Sequence, residues 1–397
     1  MFRPATSPPH LATLVIMTAM SVLTLNMFLP ALPGIAASFD TDYAIANLAI
    51  AGYLGITAFV QLIAGPLSDR FGRRPILLGA MVIFVVASIG CTLATEIWTF
   101  LAFRMLQSAV VTGSVLSSAI VRDMVSKDKT ASLLGYISMA MAIAPMIAPV
   151  IGGILEQLFG WRSNFWAYVG FGVIALALVW ADVGETNPRK SNSMKAQIRT
   201  YPALLTAPLF WGNALAPAFG VGAFFSFLAG APTIAPAVFG ISTPVLGLYL
   251  GSITAGFATG SFLSGRYATR VRITSIMLSG RLIACAALII ALGLSWMGVE
   301  TQAAFFGPIL FVGMANGLTT PGAFAGVVSV RPDLAGSASG LVGALTLGTG
   351  AILTSLTGSL LVPETGIPTL LMIMFVTSTL SLCAVLYVRA NEPAPQP

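Results

Sequence analysis

A chain of 397 residues that is 57% hydrophobic and only 8% charged, with a mean hydropathy of +0.92, has too little polar surface to coat a water-soluble globule, which places it in a bilayer. The net charge of +6 comes with no soluble segment in which basic and aromatic residues interleave, so nucleic acid is excluded as a partner. The single histidine, His10, precedes the first apolar run, and Cys91, Cys285 and Cys383 lie inside apolar runs without ligand spacing; no metal or cofactor is expected, and enzymatic chemistry of the familiar kinds is argued against.

A membrane-crossing helix needs about 20 apolar residues. Twelve runs qualify, near 11–36, 44–66, 76–94, 97–121, 131–156, 164–182, 206–230, 244–265, 274–296, 302–327, 336–361 and 367–388. The first is too long for the apolar core of a secretory signal and is read as a retained helix. The stretch 183–205, with Arg189, Lys190, Lys195 and Arg199 among Ser, Asn and Pro, reads as a cytoplasmic linker between an N-terminal half, 1–182, and a C-terminal half, 206–397. No soluble domain is expected.

Basic residues prefer short cytoplasmic loops. Arg3, Arg70, Arg73, Arg74, Arg122, Lys127, Lys129, the four linker residues, Arg266, Arg270, Arg272, Arg331 and Arg389 fall on one side, sixteen of nineteen. Only Arg162 stands opposite, among the acids Asp40, Asp42, Glu96, Glu156, Glu300 and Glu364. Both termini are therefore expected in the cytoplasm.

Between the second and third runs stands GPLSDRFGRR, 65–74, and between the eighth and ninth stands SFLSGRYATR, 261–270. The two match at Leu67/Leu263, Ser68/Ser264, Arg70/Arg266, Phe71/Tyr267 and Arg74/Arg270, an offset of 196 residues, as duplicated halves would leave behind. Gly65 and Gly72 suit close helix approach and a tight turn. Asp69 can meet a helix N-terminus or an arginine across the interface between halves. A solvated loop obeying the charge rule explains the arginines equally well, though not an acid flanked by glycines. Gly265 replaces the acid in the second copy, so any charge lock should centre on Asp69.

GPLSDRFGRR resembles the G-x-L-a-D-R-x-G-R-[RK] signature of the major facilitator superfamily. NMFLPALPGIAASF, 26–39, resembles the first-helix D-M-Y-L-P-A-L-P segment of its bicyclomycin-resistance (Bcr/CflA) branch of drug:proton antiporters. FRMLQS (103–108), IVRD (120–123), APMIAPVIGG (144–153), GWRSNFW (160–166) and AGSASGLVGAL (335–345) resemble further segments of that branch. The resemblance implies an all-α membrane protein with twelve helices in two pseudo-symmetric six-helix halves, working by alternating access as a monomer in the bacterial inner membrane. It implies a gating role for Gly65, Asp69, Arg70, Gly72, Arg73 and Arg74, and for Pro145, Pro149, Gly152 and Gly153 in the fifth helix, a pattern found in exporters. It also implies a central cavity lined by helices one, four, seven and ten, in which Asn26, Met27, Arg104, Gln107, Asn213, Phe225 and Asn316 are candidate contacts for a small amphiphilic or anionic substrate. Tyr136 and Tyr249 are secondary candidates. For the aromatics and Met27, ordinary packing explains the residue as well.

Arg104 is informative because an unpaired arginine in hydrocarbon costs on the order of 3 kcal/mol or more and is usually turned toward a cavity or a partner. Snorkelling to the outer interface is the alternative for Arg104, whereas Arg281, near the cytoplasmic end of the ninth run, is expected to snorkel. Asn26 stands where the branch carries a helix-one aspartate, and it cannot titrate; its carbonyl is free to cap Arg104. None of the thirteen acids lies deep in a run. If protons are partners, the carriers must be sought among Asp123, Asp40, Asp42 and Glu156. Otherwise the chain is a gradient-driven facilitator or exporter, or a sensor that does not transport.

Overall fold

In the computed structural model, the residues described are 8–124, 127–186, 202, 204–268, 270–331, 334–361 and 366–391. The linker residues Arg189, Lys190, Lys195 and Arg199, together with Arg3 and Glu364 and the side chains of Tyr136, Arg122, Lys127 and Lys129, lie outside them.

Nearly all of the described chain is helical. Its helices are α1 (Leu11–Asn26), α2 (Leu32–Ser38), α3 (Tyr43–Ala46), α4 (Leu48–Phe71), α5 (Arg73–Leu93), α6 (Ile97–Leu106), α7 (Val111–Met124), α8 (Lys127–Phe159), α9 (Arg162–Asp182), α10 (Pro208–Phe239), α11 (Thr243–Tyr267), α12 (Ile273–Trp296), α13 (Gln302–Val330), α14 (Ala335–Leu360) and α15 (Gly366–Ala390). Among the described residues, eleven helical stretches are long and apolar enough to cross a membrane, and the apolar part of α8, Ile143–Phe159, is a shorter twelfth. The seventh run reaches further than expected, since α10 passes Pro232 and Pro236 and stops only at Gly240, whose φ of 61° is the left-handed ending that glycine permits.

Two spans are broken at places the sequence explains in part. Pro30 and Pro33 have no N–H, so the carbonyls of Asn26 and Leu29 lose their α-helical donors. The last such bond of α1 is Met27 N–H to the Leu23 carbonyl (3.0 Å), and a tight 3₁₀ turn, Leu29–Ala31, follows before α2. The fourth span is interrupted by another 3₁₀ turn, Gln107–Val110, directly after Arg104. Short mid-helix 3₁₀ pieces often mark functional hinges.

The chain divides into two compact units: Met1–Ile198 with Thr243–Leu248, and Arg199–Ser242 with Tyr249–Pro397. In the first, α1 packs on α7 and α8, and α5 packs on α9. Edge-to-face rings join Phe100 to Phe165 (5.2 Å) and Phe165 to Tyr168 (5.5 Å). In the second, α12 packs on α13 and α15, and α10 on α13, α14 and α15. Gly256 and Gly260 of α11 lie against the Leu310 and Met314 carbonyls of α13, while Gly313 and Gly317 of α13 lie against the Ile253 and Phe257 carbonyls of α11. A Cβ at any of the four would overlap those oxygens, so two small-xxx-small stripes let the backbones touch. Large apolar side chains such as Phe59, Leu93, Ile174, Phe262, Ile289 and Ile352 face outward, as lipid contact requires.

Candidate functional site

Arg104 is fully buried, and its guanidinium is held from several elements of the first unit. Its Nη2 donates to the Thr24 carbonyl of α1 (2.7 Å), its Nε to the Ala49 carbonyl of α4 (3.3 Å) and its Nη1 to Gln107 Oε1 (2.7 Å). Gln107 in turn donates to Ser88 Oγ of α5 (2.8 Å). The cation lies between two rings, 4.1 Å from the Phe28 centroid and 4.3 Å from that of Tyr53, so aromatic faces supply part of the stabilisation that water would give. Tyr168 also donates its hydroxyl to the Thr24 carbonyl (3.2 Å). Among the described residues Arg104 pairs with no carboxylate.

Asn26 does not cap Arg104. Its amide donates back along α1 to the Val22 carbonyl (2.8 Å), and the acceptor that reaches the cation is the main chain at Thr24. Met27 is fully buried beside the first-span break.

In the second unit Arg281 does not snorkel. It is as buried as Arg104, donating through Nε to Thr319 Oγ1 (2.8 Å) and through Nη2 to Asn316 Oδ1 (2.8 Å) and the Ala315 carbonyl (3.0 Å). Three acceptors within about one turn of α13 hold it in the interior, and Gly220 of α10 leaves room for the guanidinium, since a Cβ there would overlap Nη1. Nη1 has no acceptor among the described residues. Of the other candidates, Asn213 lines a cavity of about 610 Å³ with Met277, Gly322 and Gly326, whereas Phe225 packs against Gly350. Twelve residues of one helix separate Asn213 from Phe225, about 18 Å at 1.5 Å per residue, so they do not share one small pocket. Tyr249 stacks on Phe306 at 3.9 Å and bonds Gln302 Oε1 (2.9 Å).

The charged stretch at 65–74 is less a loop than a helix ending. Residues through Phe71 belong to α4, Gly72 alone breaks the helix at φ 105° and ψ 151°, and Arg73 begins α5. Glu185 caps that start, accepting from the N–H groups of Arg73 (2.9 Å) and Arg74 (3.4 Å). Arg73 pairs with Asp69 (2.7 Å) and Asp123 (3.2 Å) and donates to Ser68 Oγ (2.5 Å). Arg74 is tied to the Trp180 carbonyl (2.7 Å), and Arg70 lies over Phe71. Gly65 does not mediate close approach: the space its Cβ would take is open.

Pro145 and Pro149 sit inside α8 without ending it. Gly152 and Gly153 are buried, and Gly152 abuts the Met27 carbonyl so closely that a Cβ would overlap it. Of the acids, Asp40 and Asp42 are exposed and Asp123 is paired. Glu156 is half-buried, one turn beyond Gly152. Sequence reading missed Phe28, Tyr53, Ser88 and Glu185, which are ordinary residues until packing brings them to Arg104, to Gln107 or to the start of α5.

The family model of the Major Facilitator Superfamily matches residues 14–347. The chain belongs to that superfamily. It is a multi-pass membrane transporter for small molecules, not an enzyme. A Bicyclomycin resistance protein homolog of Haemophilus influenzae is 28% identical over 95% of this chain and 94% of that protein. A Chloramphenicol resistance protein of Pseudomonas aeruginosa is 29% identical over 78% of this chain and 72% of that protein. Among solved structures, a bacterial homolog to the human lysosomal transporter Spinster, inward-facing and occupied, superposes with a TM-score of 0.76 at 17% identity, covering 96% of this chain and 95% of that one. The resemblance to the drug-resistance branch, read from segments between the first and eleventh runs, is thus borne out.

Proposed function

We propose that the protein exports small amphiphilic compounds across a bacterial inner membrane by alternating access, in exchange for protons, and that it does so as a monomer with both termini in the cytoplasm. Its halves, 1–182 and 206–397, are joined by the linker 183–205. The observation that carries the substrate side of this reading is Arg104, a buried cation with no carboxylate partner among the described residues, oriented by main-chain carbonyls and two rings. Such a group suits an electron-rich or anionic substrate moiety when the broken first span shifts Phe28 aside. Arg104, Gln107, Asn26 and Met27 are the candidate contacts in the first half; in the second, Asn213, Phe225 and Asn316 are candidates at separate places. Gly65, Asp69, Arg70, Gly72, Arg73 and Arg74 gate one face, with Pro145, Pro149, Gly152 and Gly153 shaping the fifth span. The relatives named for bicyclomycin and chloramphenicol resistance supply the direction and the first probe.

The test is accumulation of labelled chloramphenicol in drug-sensitive cells with and without the protein, before and after the proton gradient is collapsed. Lower accumulation with the protein, restored by collapse, is expected. Equal accumulation across a panel of amphiphilic antibiotics would overturn efflux, and efflux that survives collapse would favour the uncoupled facilitator.

A further inference from the structure

Asn26 removes the titratable group from the first span, yet the turn of α8 that packs on that span's break carries one. Gly152 abuts the Met27 carbonyl, and Glu156, one helical turn later, abuts Gly34, where a Cβ would overlap Glu156 Oε1. Acceptors crowd this turn. Asn164 donates its amide to the Gly152 carbonyl (3.3 Å) and leaves Oδ1 buried without a partner. Glu156 Oε2 is likewise buried without a partner. The Met27 carbonyl faces the same helix, while the Ala31 N–H that would reach it in an α-helix bonds Phe28 instead (2.9 Å). An ionised carboxyl adds only acceptors to such a place, whereas a protonated one brings the missing donor.

Among the described residues no cation compensates the charge. The segments of the first unit packed on α8 are α1, the Leu29–Ala31 turn, α7 and α9, along with Thr243–Leu248. α1, the segment through Ser38 and Thr243–Leu248 carry no ionisable residue, and Asp40 and Asp42 beyond Ser38 are exposed. On α9, Arg162 is committed to the Thr92 and Ala94 carbonyls, Tyr168 to Thr24, and Asp182 to His10 and Thr13 at the other end. On α7, Asp123 pairs with Arg73, and the Arg122 side chain lies outside the described residues, as do those of Lys127, Asp128, Lys129 and Tyr136 on α8 itself.

We propose that Glu156 is the proton-binding carboxylate of this transporter, protonated while it packs against Gly34 and ionised when the broken first span withdraws. The carboxylate takes its proton from water and returns it to water, so a proton is exchanged and no bond other than O–H is made or broken. Because the same break positions Phe28 and the Thr24 carbonyl around Arg104, the state of Glu156 is communicated to the arginine pocket through one hinge. The proposal rests on the proton-coupled reading above.

The experiment uses the full-length protein in proteoliposomes with labelled chloramphenicol, comparing accumulation driven by an imposed pH step with counterflow at equal pH, and recording infrared difference spectra of the carboxyl region against pH. Glu156→Gln should depress pH-driven accumulation about tenfold more than counterflow, Glu156→Asp should partly restore it, and the exposed Glu96→Gln should alter neither. One protonated-carboxyl component of the parent's spectrum should be missing in Glu156→Gln. An equal fall of both transport modes, or a parent that shows counterflow without pH-driven accumulation, overturns the proton site while leaving the carrier reading intact. If chloramphenicol is not carried, the spectra decide: identical pH-difference spectra for the parent and Glu156→Gln overturn the proposal.

Discussion

The Thr24 carbonyl accepts a 2.7 Å hydrogen bond from Arg104, so the first and fourth spans are joined where each is irregular. Proline at position 30 starts the 3₁₀ turn in one span, and the other turns 3₁₀ just after its arginine. The guanidinium then fills the space between the two breaks with donors that match the exposed carbonyls.

Replacing Arg104 should therefore remove transport and weaken packing together. Arg104→Ala leaves Gln107 Oε1 without its donor, at about 1–3 kcal/mol for a buried acceptor, while the Thr24 carbonyl keeps only Tyr168. Arg104→Lys keeps the charge but loses the planar fork, and transport should fall at least about tenfold. Counterflow rates together with unfolding midpoints in detergent are the check; a lysine variant that transports at the parental rate would show that only charge matters.

Arg281 should behave differently. One of its nitrogens already lacks an acceptor, so Arg281→Met, which removes a buried charge at similar volume but leaves Asn316 Oδ1 without its donor, should cost only about 1–3 kcal/mol. Arg281→Ala leaves a void and should destabilise by about 2–5 kcal/mol. Thermal unfolding of the purified variants separates the two, and equal losses would mean that the hydrogen bonds to Asn316 and Thr319 dominate.

At the α4–α5 junction, Gly72→Ala is expected to destabilise by about 1–3 kcal/mol, because φ 105° with ψ 151° is a region open essentially to glycine. Asparagine should give no relief, since the left-handed turn it tolerates has a much smaller ψ. Glu185→Ala should forfeit about 1 kcal/mol of helix capping. Chemical denaturation in micelles reads all three, and a tolerated Gly72→Ala would contradict the geometry.

Gly152→Ala should separate α8 from the broken first span, since the new methyl meets the Met27 carbonyl, at a penalty of about 1–3 kcal/mol. Gly65→Ala, with open space at its Cβ, should lose nothing by contact. If the two variants unfold together, the close approach at Gly152 is not what holds these helices.

Much of the fold was legible because hydrocarbon is a strict solvent. Every crossing segment must satisfy its own backbone, so length and hydropathy alone mark the spans. The first-span prolines, the charged stretch at 65–74 and the polarity of Arg104 were visible for the same reason: each is costly in a membrane unless something answers it. What answered them was not visible. Arg281 was expected at the interface, yet Asn316 and Thr319 draw it inside; Asn26 was expected to meet Arg104, yet it turns back to Val22.

Composition, spacing and the sided distribution of charge determined that this chain is a bilayer protein, since those quantities act residue by residue through transfer free energies that need no knowledge of neighbours. The tertiary structure decided which partners each buried polar group receives. Phe28, Tyr53 and Ser88 lie far from Arg104 in sequence, and Gly34 lies far from Glu156; none has a local signal, because a hydrogen bond or ring contact depends on where two helices cross rather than on either helix alone.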